Sequence, residues 1–225
     1  MQELKHPYPS VEKDGRPSYG GNQGWSGSGT VRRCGCGAVA ATDLLLYLHR
    51  FHPGCRSDVF RKIPNNGAVA LKTYNSLVDR LRKRFFFVIP RFGMNGFMVS
   101  RGLNRYFRRN SIPLRAKWGI WRWGLWSSIE KMIYADLPVI CSVGPNFPLF
   151  WKNYKLQFYI RTKDGGYRPS AMTKAHYVTI TGIDDQWLKI SSWGREYYIN
   201  REEYKRYVAK HSSYLFSNVV RLRKC

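Results

Sequence analysis

Residues 38–49 read Ala-Val-Ala-Ala-Thr-Asp-Leu-Leu-Leu-Tyr-Leu-His, and this stretch constrains the fold more than any other part of the 225-residue chain. Ala is the strongest helix former and Leu follows closely. Apolar side chains fall on nearly every side of such a helix, so it has to be enclosed by other elements rather than laid on a surface. It is expected to begin near Cys36 and to end before Pro53-Gly54. Upstream, Tyr19 to Gly29 is dense in Gly and Ser and reads as a shaped loop. Cys34 and Cys36 therefore stand at a loop-to-helix junction.

Leu71 to Phe86 predicts an amphipathic helix, with Leu77, Leu81 and Phe85 on one stripe. Phe97 to Arg109 and Ser127 to Ala135 predict two more. Leu137 to Gly144 predicts a short buried strand. Leu156 to Thr162, His176 to Gly182, Trp187 to Ser191 and Glu196 to Asn200 also read as strands, bounded by turn residues. Asp164-Gly165-Gly166 and Asp184-Asp185 are hairpin-type turns. Arg201 to Lys210 predicts a short helix and Tyr214 to Leu222 a last strand. Helices first and antiparallel strands second make an α+β arrangement with segregated layers. The size suits one domain over 1–225, in which 1–33 form a Gly/Ser/Pro-rich N-terminal loop segment.

Lys and Arg number 38 against 14 Asp and Glu, a net charge of +24. The 44% hydrophobic and 16% aromatic content excludes a disordered polycation. No apolar run approaches the roughly 20 residues of a membrane span, and Met1 to Ser10 lacks a leader-like apolar stretch. A cytoplasmic protein is the expectation. The charge suggests an anionic partner, with nucleic acid or an anionic membrane surface as first candidates. Trp118, Trp121, Trp123 and Trp126, mixed with Lys117 and Arg122, could form a stacking platform for single-stranded nucleic acid or a membrane-surface segment. A core-facing aromatic cluster roofing a substrate cleft is the preferred reading, because tryptophan is costly to expose. Leu103 to Arg109 reads as a helix with a solvated basic face.

The chain has five cysteines, Cys34, Cys36, Cys55, Cys141 and Cys225. An odd number in a chain of this size argues against a disulfide framework. Cys34 and Cys36 lack a second close pair or a His pair at ligand spacing, so no metal site is expected, and no organic cofactor is implied. Cys141 reads as a buried small hydrophobe.

A nucleophilic cysteine needs its thiolate, which a helix N-terminus favours. Cys36, or alternatively Cys34, stands at one, and Arg32 and Arg33 add positive charge. The partner base is usually His. His6 lies in the loose N-terminus, His49 and His52 flank the far end of the cysteine helix, and His211 lies in a polar loop. His176 opens the strand His-Tyr-Val-Thr-Ile-Thr-Gly. Across the tight turn that follows, Ser191 or Ser192 comes near it and offers an orienting group.

A loop with Gln, then Cys-Gly opening an apolar helix, then His at a strand start, then a polar residue before Ser-Trp-Gly resembles the papain-like cysteine peptidases. Leu188 to Gly194 is similar to the stretch around that family's catalytic Asn. His176-Tyr177-Val178 with Gly182 looks most like the bacterial branch that processes double-glycine leader peptides. The resemblance covers the site rather than the whole chain. It implies a papain-like fold, with a cysteine-bearing helix packed on an antiparallel sheet that carries the histidine. It also implies Cys36 as nucleophile, His176 as general base and Gln23 as an oxyanion donor beside the Cys36 N–H. Ser191 stands where the family has Asn or Asp, and Gln23 lies 13 residues before Cys36, a longer gap than usual. The expected activity is thiol-dependent hydrolysis of a peptide or amide bond in a peptide or protein substrate. The alternative is the same scaffold with weakened catalysis, acting as a basic binding protein for nucleic acid or another anionic partner.

Overall fold

The computed structural model describes residues 1–120 and 122–224. Six α-helices occur among them: α1 (Gly29–Cys34), α2 (Cys36–Phe51), α3 (Leu71–Arg84), α4 (Gly96–Arg109), α5 (Leu125–Tyr134) and α6 (Arg201–His211). The strands are β1 (Gln2–Glu3), β2 (Val11–Lys13), β3 (Arg16–Pro17), β4 (Val69–Ala70), β5 (Leu114–Trp118) and β6 (Val139–Val143), followed by β7 (Leu156–Arg161), β8 (Tyr167–Thr173), β9 (His176–Ile183), β10 (Trp187–Ser192), β11 (Arg195–Asn200) and β12 (Val220–Lys224). The architecture is α+β.

The main sheet runs β9-β10-β11-β7-β8, with β6 and β1 sharing the free edge of β9, and every pairing in it is antiparallel. The chain can build it from consecutive hairpins because Asp164–Gly166 and Asp184–Asp185 turn as the sequence predicts. Asp184 Oδ1 accepts the N–H groups of Gln186 and Trp187, which closes the β9–β10 turn.

Helix α2 begins at Cys36 and is buried from Gly37 to Leu48, as its all-round apolar pattern requires. It lies against β9, and its Val39, Leu44 and Leu48 share one core with Leu77 and Leu81 of α3, Leu103 of α4 and Tyr177 of β9. A second core fills the other face of the sheet, where Val178, Ile180, Leu188 and Ile190 meet Ile129 of α5 and Tyr204 of α6. At about 25 cal/mol per Å² of apolar area removed from water, both interfaces stabilise the fold. Among the described residues no helix is long and apolar enough to cross a membrane.

Three expectations are corrected. The segment 1–33 is not loop throughout, since β1, β2, β3 and α1 fall within it. The last strand starts at Val220 rather than Tyr214, because Asn218 Nδ2 donates to the carbonyls of Tyr214 and Ile120 and turns the chain there. Among the described residues, Trp118 and Trp126 do not share one cluster, since Trp118 belongs to the core around α2 and Trp126 packs against the other. Trp118 is buried with Nε1 donating to the Leu215 carbonyl, Trp126 sits 4.8 Å beneath the Arg201 guanidinium, and Trp123 is exposed. Trp121 and Cys225 lie outside the described residues. None of the three described tryptophans roofs the cleft described next.

Candidate active site

Gly35 separates α1 from α2, and the packing there leaves no room for a side chain. A Cβ on Gly35 would lie 2.6 Å from the Val31 carbonyl oxygen. The break places Cys34 at the carboxyl end of α1 and Cys36 at the amino end of α2. Cys36 therefore has the favourable end of a helix dipole and Cys34 the unfavourable one. No side chain caps α2, so its first N–H groups are open to a negative charge.

Cys36 is half-buried at the mouth of a cleft also lined by Gly21, Gln23, Asp43, His176 and Trp193. Cys34 is absent from that lining. Burial raises the Cys36 thiol pKa, while the backbone N–H groups of Tyr177 and Gly37 pull in the other direction. Arg32 and Arg33 are not among the groups that shift the Cys36 thiol. The Arg32 guanidinium donates to the carbonyls of Ser26 and Gly27, and Arg33 Nε donates to that of Gly29. Arg32 thus ties α1 to the loop before it, and Arg33 bonds back within α1.

His176 is 7% exposed. Its ring stacks on Trp193 at 4.5 Å, and Nε2 lies 2.9 Å from Ser192 Oγ. Ser192 is therefore the serine whose hydroxyl meets the imidazole. Ser191, the residue at the family's Asn position, instead donates its hydroxyl to the Tyr19 carbonyl at 2.8 Å. Successive strand residues point to opposite faces, so one of the two serines faces the imidazole and the other the glycine-rich loop. With Nε2 engaged, Nδ1 is the nitrogen left for proton transfer. Burial drives the His176 pKa down to about 4, so the resting imidazole is neutral.

The other four histidines have separate duties. His6 Nδ1 pairs with Asp136 Oδ2, and His52 Nε2 meets the Asp136 carbonyl. His49 Nδ1 accepts the Ser57 N–H, and His211 stacks on Tyr154.

The 13-residue gap between Gln23 and Cys36 is taken up by α1, which folds the chain back and brings Gln23 to the cleft. Gln23 Nε2 donates to the Arg32 carbonyl at 2.9 Å, and Oε1 is buried without a hydrogen-bond partner among the described residues. The Nε2 amide carries two N–H groups, and that bond uses one of them. The loop bearing Gln23 is zipped onto the strand end beside His176. Tyr19 N–H donates to the Gly194 carbonyl, Gly194 N–H to that of Gly21, and Asn22 Nδ2 to that of Trp193.

Asp43 is a site residue that sequence reading missed. It lies seven residues after Cys36 on α2, hence two turns down the same face. Its Oδ2 accepts the Gly21 N–H at 2.8 Å and its Oδ1 the Tyr74 hydroxyl at 2.5 Å. Burial raises its pKa to about 7 despite those bonds. Its one signal in the sequence is a lone acid inside an otherwise apolar helix.

Comparison of the chain with protein-family models, with curated proteins and with solved structures finds no match. Among the described residues no group of three or more His, Cys, Asp and Glu side chains is placed to hold a metal ion.

Proposed function

We propose that this chain is a thiol-dependent hydrolase of peptide or amide bonds with a papain-like arrangement. One observation carries the reading: an uncapped helix N-terminus brings Cys36 into the same cleft that His176, held by Ser192 and Trp193 at the start of β9, also lines. In this reading the Cys36 thiol passes its proton to His176 Nδ1 as sulfur attacks the substrate carbonyl carbon. The carbonyl oxygen becomes an oxyanion that the Cys36 N–H and the second N–H of the Gln23 amide receive. The imidazolium then protonates the leaving amine, the carbon–nitrogen bond breaks and an acyl-thioester remains. Water, deprotonated by His176, attacks that thioester, and the returned proton regenerates the thiol.

A second reading has one observation in its favour. Burial leaves both thiol and imidazole neutral at rest, which suits a binding scaffold with weakened catalysis. Acylation separates the two. Mixing the protein with p-nitrophenyl acetate should release a burst of one equivalent of p-nitrophenol and leave an acetyl group on Cys36, located by mass spectrometry. Cys36→Ala should abolish the burst, His176→Ala should slow it on the order of a hundredfold, and Cys34→Ser should leave it intact. A burst that survives Cys36→Ala, or an adduct on Cys34, overturns the assignment. No burst in the wild-type protein leaves the binding scaffold.

A further inference from the structure

The net charge of +24 is not spread evenly. Residues 50–117 hold sixteen Lys and Arg against only Asp58 and Asp79. The fold gathers part of this excess at one place. The carboxyl ends of α2 and α4 and the turns around 53–61 line an open groove of about 610 Å³, to which Arg56, Arg61 and Arg109 contribute. All three are exposed, and none has a carboxylate partner among the described residues. At 1.5 Å per residue along α2, His49 in this groove is about 20 Å from Cys36. The groove and the cleft are separate places.

The floor of the groove is built rather than loose. Ser57 is held between two neighbours: its N–H donates to His49 Nδ1 at 3.1 Å and its hydroxyl to Asn110 Oδ1 at 2.9 Å. Asn110 Nδ2 in turn donates to the Tyr106 carbonyl, and the His49 ring stacks on Phe60 at 5.2 Å. Because Nδ1 of His49 accepts, its proton sits on Nε2, a further donor on the groove wall. Helix C-termini attract cations, which accounts for Arg109 at the end of α4 but not for Arg56 or Arg61, which come from the intervening turns. Arg50 is already committed to the Pro64 carbonyl. Unpaired guanidinium forks match phosphate oxygens two at a time. A concave groove fed by three separate segments suits a compact anion better than an extended backbone.

We infer that the groove of Arg56, Arg61 and Arg109 is a binding site for a compact anion carrying two or more phosphates. Asp58 lines the same groove and opposes such an anion. The inference does not depend on the thiol chemistry.

Inorganic tripolyphosphate is the probe, titrated calorimetrically into the full chain at low and at physiological salt. Saturable one-to-one binding that weakens with salt is expected. Arg61→Gln with Arg109→Gln should weaken it at least about tenfold, and Arg56→Gln alone should weaken it measurably. Asp58→Asn should tighten it several-fold. Arg115→Gln with Lys117→Gln, which removes two exposed charges on β5, should change it less than about twofold, within the range for an exposed surface charge. Non-saturable binding, or equal losses in the groove and β5 variants, would show diffuse charge and overturn the site. So would binding of a dT20 oligonucleotide, or of phosphatidylglycerol vesicles, that needs the three arginines while tripolyphosphate does not bind. Circular dichroism melts report whether each variant folds. Should the double variant unfold, Arg56→Gln and Asp58→Asn, which are predicted to move affinity in opposite directions, decide alone.

Discussion

Nε2 of His176 lies 2.9 Å from Ser192 Oγ, while the hydroxyl of the preceding Ser191 donates to the Tyr19 carbonyl at 2.8 Å. Two adjacent serines therefore have unlike duties, one on the imidazole and one on the loop. Ser192→Ala should lower the acylation rate constant about tenfold or more, since an unrestrained imidazole loses the orientation that general-base transfer needs. Ser191→Ala should leave that rate within about twofold and lower stability by about 1 kcal/mol, the net worth of one hydrogen bond. Burst kinetics and urea unfolding on both variants check this. A larger kinetic loss in Ser191→Ala than in Ser192→Ala would reverse the assignment.

The dependence of stability on pH should reveal two buried groups that work against each other. His176 titrates at about 4 in the folded chain against an ordinary 6.5, so its contribution is complete above 6.5 and is lost as pH falls through 4. Asp43 titrates at about 7 against an ordinary 3.8, so its contribution is complete below 3.8 and is lost as pH rises through 7. Between those limits the two slopes, each up to about 1.4 kcal/mol per pH unit, have opposite signs and offset one another. Asp43→Asn should therefore give a protein whose urea midpoint rises from pH 4 to 6.5, and His176→Ala one whose midpoint falls over the same range. Parallel curves in the two variants would contradict the burial assigned to one of them.

Much of this arrangement is legible in the sequence, for identifiable reasons. The all-apolar face of 38–49 demands enclosure, and that alone centres α2 and sets Cys36 at its start. His176 and the 187–200 hairpin are legible because strand alternation and turn residues coincide there. Strand β5 hides beside the tryptophan run, although Leu114, Ala116 and Trp118 alternate with Arg115 and Lys117. Strand β8 contains Pro169, which cannot donate to a ladder and reads as a break, yet β8 lies at the sheet edge where proline is tolerated. Which serine turns to His176 depends on strand facing, and the bulge between Lys189 and Ile190 shifts the pairing in a way no sequence motif marks. The roles of Arg32, Arg33 and Asp43 depend on where a folded-back loop comes to rest, which is a tertiary outcome.

Alkylation should report the resting state of the nucleophile. With burial raising the Cys36 thiol and holding His176 neutral, iodoacetamide should label Cys36 slowly at pH 6. The rate should climb through the alkaline range without an acid-side plateau. Peptide mapping across a pH series measures this. Rapid labelling of Cys36 at pH 6 would mean that a thiolate–imidazolium pair already exists at rest.

The loop that carries Gln23 supplies the most demanding test. Gly20 holds φ at +78°, and a Cβ there would lie 2.2 Å from Ser191 Oγ and 2.8 Å from Asp43 Oδ2. Neither neighbour can retreat: the Ser191 hydroxyl is bonded to Tyr19, and Asp43 is pinned by Gly21 and Tyr74. Gly20→Ala therefore has to move the loop, combining left-handed strain with overpacking at a combined loss of about 2 kcal/mol or more. The displaced loop should carry Gln23 out of the cleft. Gln23→Ala removes the same amide without moving the backbone, and Gln23 is not part of either core. If the amide receives the oxyanion, Gln23→Ala should slow acylation by about ten- to a thousandfold at nearly unchanged stability. Gly20→Ala should then slow it to a similar extent and lower the unfolding midpoint as well. The double variant should acylate no more slowly than the slower single one, because both changes remove one interaction. Additive losses would mean that the glycine acts on the nucleophile or the base rather than through Gln23.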